Sequence, residues 1–388
     1  AVYRTLSLPA DRLDDWFDLL AVRHRCLHVE RLTFRSQHSF KAKGTPRSYF
    51  ERHWFDDPSR DCDDVIVVVD DHDTVRSTIT VLLSNNINVF QLVSSTRIFR
   101  RSLHLGTTIV PLGGIGEVAT RPGYEGRGLA RQAVDAAVHR MSITGILVSL
   151  LHTSSAVGLY RKLGYVSVPL PLASAALPPP PDAREFKISF IDSSDVSSIA
   201  PLHARHVVNH AGGMPRARAS DWAFNPAVLV AFERGHLSGY AALKAPAPDR
   251  VVVCEMVAEH RRTPLDNVTK SGTPLDNAAK CETPLDIKAA SDSTLSDADL
   301  GEALRQAVWA AIDKQHIQAG AGATVRGYGS VVARAIRAMS PSEGLFDEGF
   351  MYRLIAPFSI EGREIGSTEA LCKAIEEKGH LFMGLDAF

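Results

Sequence analysis

Apolar positions change their spacing several times along this chain, and each change marks an element. Leu13, Trp16, Phe17 and Leu20 recur at helical spacing, which predicts an amphipathic helix over residues 11–22, and a short helix is read around residues 47–53. Val65-Ile66-Val67-Val68-Val69 is an unbroken apolar run of strand length. A turn over 70–73 follows, and 78–83 reads as the paired strand, while 85–105 shows no clear period. Ile115 to Thr120 reads as another strand. After a Pro122-Gly123 turn, Leu129, Ala130, Ala133, Val134, Ala137, Val138 and Met141 return to helical spacing. An apolar run over 145–151, a helix containing Tyr160 and a strand over 166–170 complete an α/β pattern.

Residues 172–183 contain Pro178-Pro179-Pro180-Pro181 between small residues. Consecutive prolines stiffen a chain and donate no ladder hydrogen bonds, so a linker is expected here. The part that follows repeats the order of the first in outline. It offers a strand at 185–190, a helix at 195–209 and a hairpin of 227–232 with 237–243. A strand at 251–257 and a helix at 297–312, opened by a Ser296-Asp297 cap signal, continue the pattern. Where the first part has its glycine loop, this part has Thr-Pro-Leu-Asp at 263–266, 273–276 and 283–286, a ten-residue repeat. Three mostly polar repeats cannot build a core or a solenoid, so a mobile insertion is expected. The expected organisation is a catalytic domain over 1–171, the linker over 172–183, a second domain over 184–358 with the insertion near 261–292, and a tail over 359–388.

Length and composition narrow the function classes. A chain of 388 residues supports two or three cores, and 45% apolar with 22% charged residues is ordinary for a soluble protein. A net charge of −1 gives no bulk electrostatic case for nucleic acid or an anionic membrane as partner. No apolar run approaches bilayer length, and the numbered chain opens without a secretory apolar segment. Five scattered cysteines, none at metal-ligand or redox spacing, favour a reduced setting, so no metal and a cytoplasmic location are expected.

The chemistry concentrates between Gly113 and Ala130. Strand, glycine loop and helix start make an anion cradle: the first helical N–H groups lack partners, the helix dipole favours negative charge, and Gly126 and Gly128 carry no Cβ to hold a phosphate away. Neither the Gly-x-Gly-x-x-Gly of a dinucleotide site nor the Gly-Lys-Ser/Thr of a triphosphate site is present.

The loop Glu125-Gly126-Arg127-Gly128-Leu129-Ala130 resembles the Gln/Arg-x-x-Gly-x-Gly/Ala motif of the GCN5-related N-acetyltransferases (GNAT), with Glu125 in place of Gln or Arg. A second block lies at the right distance. Thr153-Ser154-Ser155-Ala156-Val157-Gly158-Leu159-Tyr160 and Gly164-Tyr165 resemble the family's Asn-x-x-Ala-x-x-x-Tyr-x-x-x-Gly-Phe/Tyr, with Thr153 where Asn is usual. The resemblance covers residues 1 to about 170 and implies a GNAT fold, a mixed α/β sheet, with acetyl-CoA as co-substrate. It assigns cofactor contacts to Val118, Ala119 and Thr120 on the central strand, to Glu125, Gly126, Arg127, Gly128, Leu129 and Ala130 in the loop, and to Ser154, Ser155 and Tyr160. The repeated element order, with Gly239-Tyr240 after the hairpin, is similar to tandem-GNAT enzymes of the Eis-like kind, and implies a second lobe that has lost cofactor binding. Only about 30 residues follow Phe358, too few for the further domain that Eis-like chains append.

Acetyl transfer to an amine needs an acid for the departing thiolate and an acceptor for the amine proton. The resemblance places Tyr160 at the acid position, with Tyr165 as a packing residue. Three candidates remain for the base. Glu117 lies on the central strand, but alternates against Val118 and Thr120 unless a bulge intervenes, and relatives often place the acid where this chain has Gly116 or Gly114. The terminal carboxylate of Phe388 is a rival, because Eis-like chains thread their end into the site. His152, at the end of a strand, reads as a surface histidine. The expected activity is direct acetyl transfer to a primary amine of a small molecule such as lysine, a polyamine or an aminosugar. A peptide acceptor and a noncatalytic CoA-binding protein are the alternatives, and oligomeric state stays open.

Overall fold

A computed structural model of the chain describes residues 3–25, 46–70, 91–210, 212–216, 221–222, 227–259, 295–320, 322–342 and 345–378. The strand expected at 78–83, the Thr-Pro-Leu-Asp repeats and Phe388 lie outside the described residues. The first lobe runs β1 (Tyr3–Ser7), α1 (Leu13–Arg25), α2 (Arg47–Phe55), β2 (Val65–Asp70), β3 (Gln91–Leu105), β4 (Thr108–Thr120), α3 (Leu129–Ile143), β5 (Val148–His152), α4 (Val157–Arg161) and β6 (Val166–Ser167). Next come β7 (Leu170–Ala176), β8 (Lys187–Ile191), α5 (Ala200–Val208), β9 (Val228–Glu233), β10 (Leu237–Ala247), β11 (Arg250–Ala258), α6 (Asp297–Asp313), β12 (Thr324–Tyr328), α7 (Ser330–Met339) and β13 (Leu345–Asp347). The described chain closes with β14 (Phe350–Leu354), the hairpin β15 (Phe358–Ile360) and β16 (Arg363–Ile365), and α8 (Thr368–Glu377).

Two seven-stranded mixed sheets share one plan. The first has the order β1-β2-β3-β4-β5-β14-β6 and the second β8-β9-β10-β11-β12-β7-β13. In each, the fourth and fifth strands are the parallel pair, β4 with β5 and β11 with β12. Each lobe donates one strand to the other: β7 enters the second sheet between β12 and β13, and β14 enters the first between β5 and β6. The single strand read over 166–170 is therefore two short ones with Pro169 between them, and residues 172–176, read as the start of a linker, are ladder residues of β7. The proline run beyond them is docked. Trp309 Nε1 donates to the carbonyl of Pro178 at 2.9 Å, and Arg305 donates to those of Pro179 and Pro180.

Local chemistry sets several boundaries. Pro201 in the first turn of α5 starts that helix later than the 195 expected from spacing, because proline is tolerated only where its missing N–H is not needed. β3 shows no apolar period because its inward positions include a buried Arg97 and the hydroxyls of Ser94 and Ser95. β2 pairs with β3 only as far as Arg97; further along, the second lobe covers the open edge, with Gly212 N donating to His104 O and His104 N to Gly213 O, both at 2.8 Å. No helix among the described residues is long and apolar enough to cross a membrane.

β14 also reaches the face of the first lobe that carries Tyr160. Met351 is buried in one cluster with Tyr160, Leu163 and Tyr165, and Arg353 donates to the carbonyl of Leu163 beside Gly164. Truncating Arg353 to Ala removes a charge-assisted bond that ties the end of α4 to a strand nearly 190 residues later. We expect a loss of about 1.5–3 kcal/mol in denaturant-induced unfolding with unchanged slope. A loss below about 0.5 kcal/mol, the level of an ordinary surface substitution, would show that the exchanged strand is held without this tie.

Candidate active site

The glycine loop forms as its composition requires. Gly123, Gly126 and Gly128 take φ of 84°, 74° and 78°, left-handed values that disfavour any residue with a Cβ. An added Cβ at Gly126 or Gly128 would meet nothing within 4 Å, so the loop surface is open. Its charged side chains turn inward on the loop. Glu125 accepts from Gly123 N at 2.7 Å, and Arg127 donates to Gly123 O at 2.8 Å and to Tyr3 Oη at 2.7 Å. Accepting from a loop amide is a task Glu shares with Gln, whereas Arg has no acceptor to offer. Gly128 is the N-cap of α3 and supplies no side-chain cap, and the first turn carries no acid. The amides opening α3 thus point outward at the positive end of the dipole.

Beside the cradle the sheet opens. β4 and β5 pair from Leu112 with Val148 to Gly114 with Leu150, and there their ladder ends, while β4 continues to Thr120 against β3 alone. Gly116, Glu117 and Val118 along this stretch are partly exposed. Ala119 is buried in the cluster with Trp16 and Leu92, and the Thr120 hydroxyl lies 3.0 Å from Ser94 Oγ, so both side chains face the interior.

A bulge stands in the same stretch. Ser95 pairs with Ala119 and Arg97 with Gly116, which gives β4 one residue more than β3, and Glu117 takes a φ of 52°. A left-handed non-glycine residue is costly and persists where its surroundings hold it. Here the bulge breaks the alternation and sends Glu117 toward α2. Its Oε1 lies 3.0 Å from His53 Nδ1, and its Oε2 lies 3.7 Å from Arg97 Nη1, beyond hydrogen-bonding range. Oε2 is buried and has no hydrogen-bond partner among the described residues. Arg97 lies between the rings of Trp54 and Phe99, donates to Asp57 Oδ2 at 2.7 Å and reaches the His53 carbonyl at 3.4 Å. Burial pulls its guanidinium below the ordinary value, against the opposing pull of Glu117 and Asp57. His53 stacks on Tyr49 with ring centroids 5.3 Å apart.

On the opposite face, below α3, sits Tyr160. The Thr153 hydroxyl accepts from Ala156 N at 3.0 Å and so takes the turn-forming part for which Asn is usual. Ser154 and Ser155 are exposed on this turn. Tyr160 packs with Ile98, Ile115 and Met141, and burial pushes its phenol up to about 12. Tyr165 is a packing residue that shares a 2.7 Å bond with Ser149 Oγ, its phenol likewise raised by burial. His152 is part-exposed and lies 3.2 Å from Asp347. Among the described residues no group of His, Cys, Asp and Glu could hold a metal ion.

Residues 28–168 match the acetyltransferase (GNAT) domain family. The match places a GNAT-type domain in the first lobe, over about a third of the chain. Known structures share its fold across both lobes. A GCN5-related N-acetyltransferase from Kribbella flavida is 17% identical, with a TM-score of 0.56 over 93% of this chain and 75% of that one. One from Anabaena variabilis is 12% identical, with a TM-score of 0.57 over 91% and 73%. A conserved Enterococcus faecalis protein of unknown function, described as a probable N-acyltransferase, is 13% identical, with 0.54 over 92% and 73%. A comparison with curated proteins finds no match. The domain match and these shared folds support acetyl-CoA-dependent N-acetyl transfer as the activity of the first lobe.

The second lobe differs at the helix that follows its fourth strand. The N-terminus of α6 carries a capping box that satisfies the Ser296 and Asp299 amides, and the acids Asp297 and Asp299 in its first turn repel a phosphate. α7 then packs directly on α6, so that a Cβ on Gly301 would come within 2.7 Å of Met339 N. Sequence reasoning on the GNAT motifs missed His53, Arg97 and Asp57. Their signal was weak: His53 ends a short helix, and Arg97 lies in the stretch without a period.

Proposed function

We propose that this chain transfers the acetyl group of acetyl-CoA to a primary amine of a small molecule, of the lysine, polyamine or aminosugar type, by direct transfer in a ternary complex at the first lobe. The left-handed bulge at Glu117 carries the reading, because it puts a recessed carboxylate beside the opening between β4 and β5. The open glycine surface and uncapped α3 fit a diphosphate, and the unpaired β4 backbone fits an extended amide-bearing arm. Acetyl-CoA supplies the activated acyl group. Gly126, Gly128, Leu129 and Ala130 would hold its diphosphate through backbone amides, and Val118 would meet its pantetheine arm.

The chain's own groups divide the proton work. An amine of ordinary basicity is protonated at neutral pH, and Glu117 Oε2 is the acceptor for its proton. Tyr160 Oη holds its proton at neutral pH and gives it to the departing sulfur. A carboxylate whose side chain is only 5% exposed suits a slender amine. In this reading residues 1–171 carry the chemistry, 172–183 join the lobes, and 184–358 buttress the site without binding cofactor.

Following free-thiol release with lysine, spermidine, glucosamine and a lysine-bearing peptide tests the proposal. Saturable release is expected with at least one small amine, together with a fall in kcat of roughly 10²–10⁴ for Glu117→Gln at unchanged acetyl-CoA affinity. Release with the peptide alone would overturn the substrate class, and undiminished turnover of the Gln variant would remove Glu117 as base.

A further inference from the structure

Glu117 is held more tightly than a proton acceptor alone requires, and the holding is asymmetric. One oxygen is hydrogen-bonded, and the other has only the Arg97 charge at 3.7 Å among the described residues. A carboxylate can only accept, so the 3.0 Å contact between Oε1 and His53 Nδ1 makes Nδ1 the donor and fixes the ring's tautomer. Oε2 is buried and faces Arg97 Nη1 only across 3.7 Å, with no hydrogen-bond partner among the described residues, an arrangement that costs free energy unless a ligand N–H completes it.

We propose that His53 is a positioning residue for the reaction: its Nδ1–H pins Oε1 of Glu117 and so fixes the carboxylate rotamer that presents Oε2 to the acceptor amine. The inference rests on the reading of Glu117 as the base. Arg97 clamps the arrangement from below. Its guanidinium, wedged between Trp54 and Phe99, reaches the His53 carbonyl at the end of α2, bonds Asp57 just beyond that helix and faces Glu117 across 3.7 Å. Asp57 is itself held by Arg101 at 3.1 Å and by Ser59. One buried cation therefore ties the end of α2 to β3 and β4, which fixes the His53 backbone from which the ring projects. Tyr49, stacked on the other side of the ring, completes its confinement.

The proton balance leaves His53 unchanged through the cycle. An ammonium that becomes an amide N–H gives up two protons. Glu117 Oε2 takes one and later releases it to solvent. The other replaces the proton that Tyr160 hands to the sulfur. His53 keeps Nδ1–H throughout and acts only on geometry.

The test compares His53→Asn, whose amide nitrogen falls near the position of Nδ1, with His53→Leu, which keeps bulk and removes the donor. With acetyl-CoA saturating, His53→Leu is expected to lose about 10–100-fold in kcat, the scale of a misplaced catalytic group, while acetyl-CoA affinity stays at the wild-type value. His53→Asn is expected to stay within about threefold of wild type, since it restores the donor. Wild-type kcat in the Leu variant would overturn the inference, as would equal losses in both variants, which would mean the ring only packs. Should the Leu variant fail to fold, His53→Ala is assayed with added imidazole. Restored turnover supports the donor role, and no restoration overturns it. Glu117→Gln separates the two levels. If it turns over normally the base itself is misassigned, whereas an inactive Gln variant beside a fully active Leu variant removes His53 alone.

Discussion

Tyr160→Phe is expected to lower kcat by roughly 10²–10⁴, the usual range for losing a general acid, and to leave the KM for acetyl-CoA nearly unchanged. The substitution keeps the ring among Ile98, Ile115 and Met351 and removes only the hydroxyl. Among the described residues that hydroxyl has no hydrogen-bond partner that its loss would strand, since burial alone raises its phenol. Stability should therefore hold while turnover falls. The sign of the pH dependence follows from the same shift. An acid works while protonated, and a phenol raised to about 12 stays protonated across the accessible range, so Tyr160 contributes no alkaline fall in kcat below about pH 11. A Phe variant with near wild-type kcat, with chemistry shown to be rate-limiting, would remove Tyr160 from the mechanism.

Gly128→Val is expected to abolish acetyl-CoA binding in a folded protein. Gly128 takes a φ of 78°, where a β-branched residue is a severe outlier, and it is also the N-cap whose amide faces the opening. A Cβ there meets no protein atom within 4 Å, so the damage falls on the space a diphosphate would fill, and on the loop's own conformation. Gly128→Ala should show a weaker form of the same loss, because it carries the left-handed strain with less bulk. Calorimetry that found unchanged acetyl-CoA affinity in a folded Val variant would show that the cradle lies elsewhere.

What the sequence made legible is local. The glycine loop and the block from Thr153 to Tyr165 are runs whose spacing alone sets turn, cap and helix, and they stand where the pattern put them. The proposed base was legible only conditionally. Glu117 lies on the wrong face by simple alternation, and the bulge that turns it depends on the register between Ser95 and Arg97 of β3, a partner that sequence spacing cannot supply. His53 and Arg97 were invisible for a related reason. Nothing local distinguishes a histidine at the end of α2, and Arg97 reads as a surface charge until its burial between two rings is known. The strand exchange was out of reach too, because β7 and β14 are short and their partners lie in the other lobe. The closed state of the second lobe was half legible. Its missing glycine loop was plain, whereas the packing of Gly301 against α7 was not.

The division of labour between the lobes is the central claim, and the stoichiometry of acetyl-CoA binding tests it most directly. The cradle at Gly126 and Gly128 is open, while the capping box at Ser296 and the contact of α6 with α7 close the corresponding place in the second lobe. Calorimetric titration of acetyl-CoA into the full chain should give a single site per chain, and the Gly128→Val variant should give none. Two sites per chain, or a single site that survives in a folded Gly128→Val protein, would contradict the account.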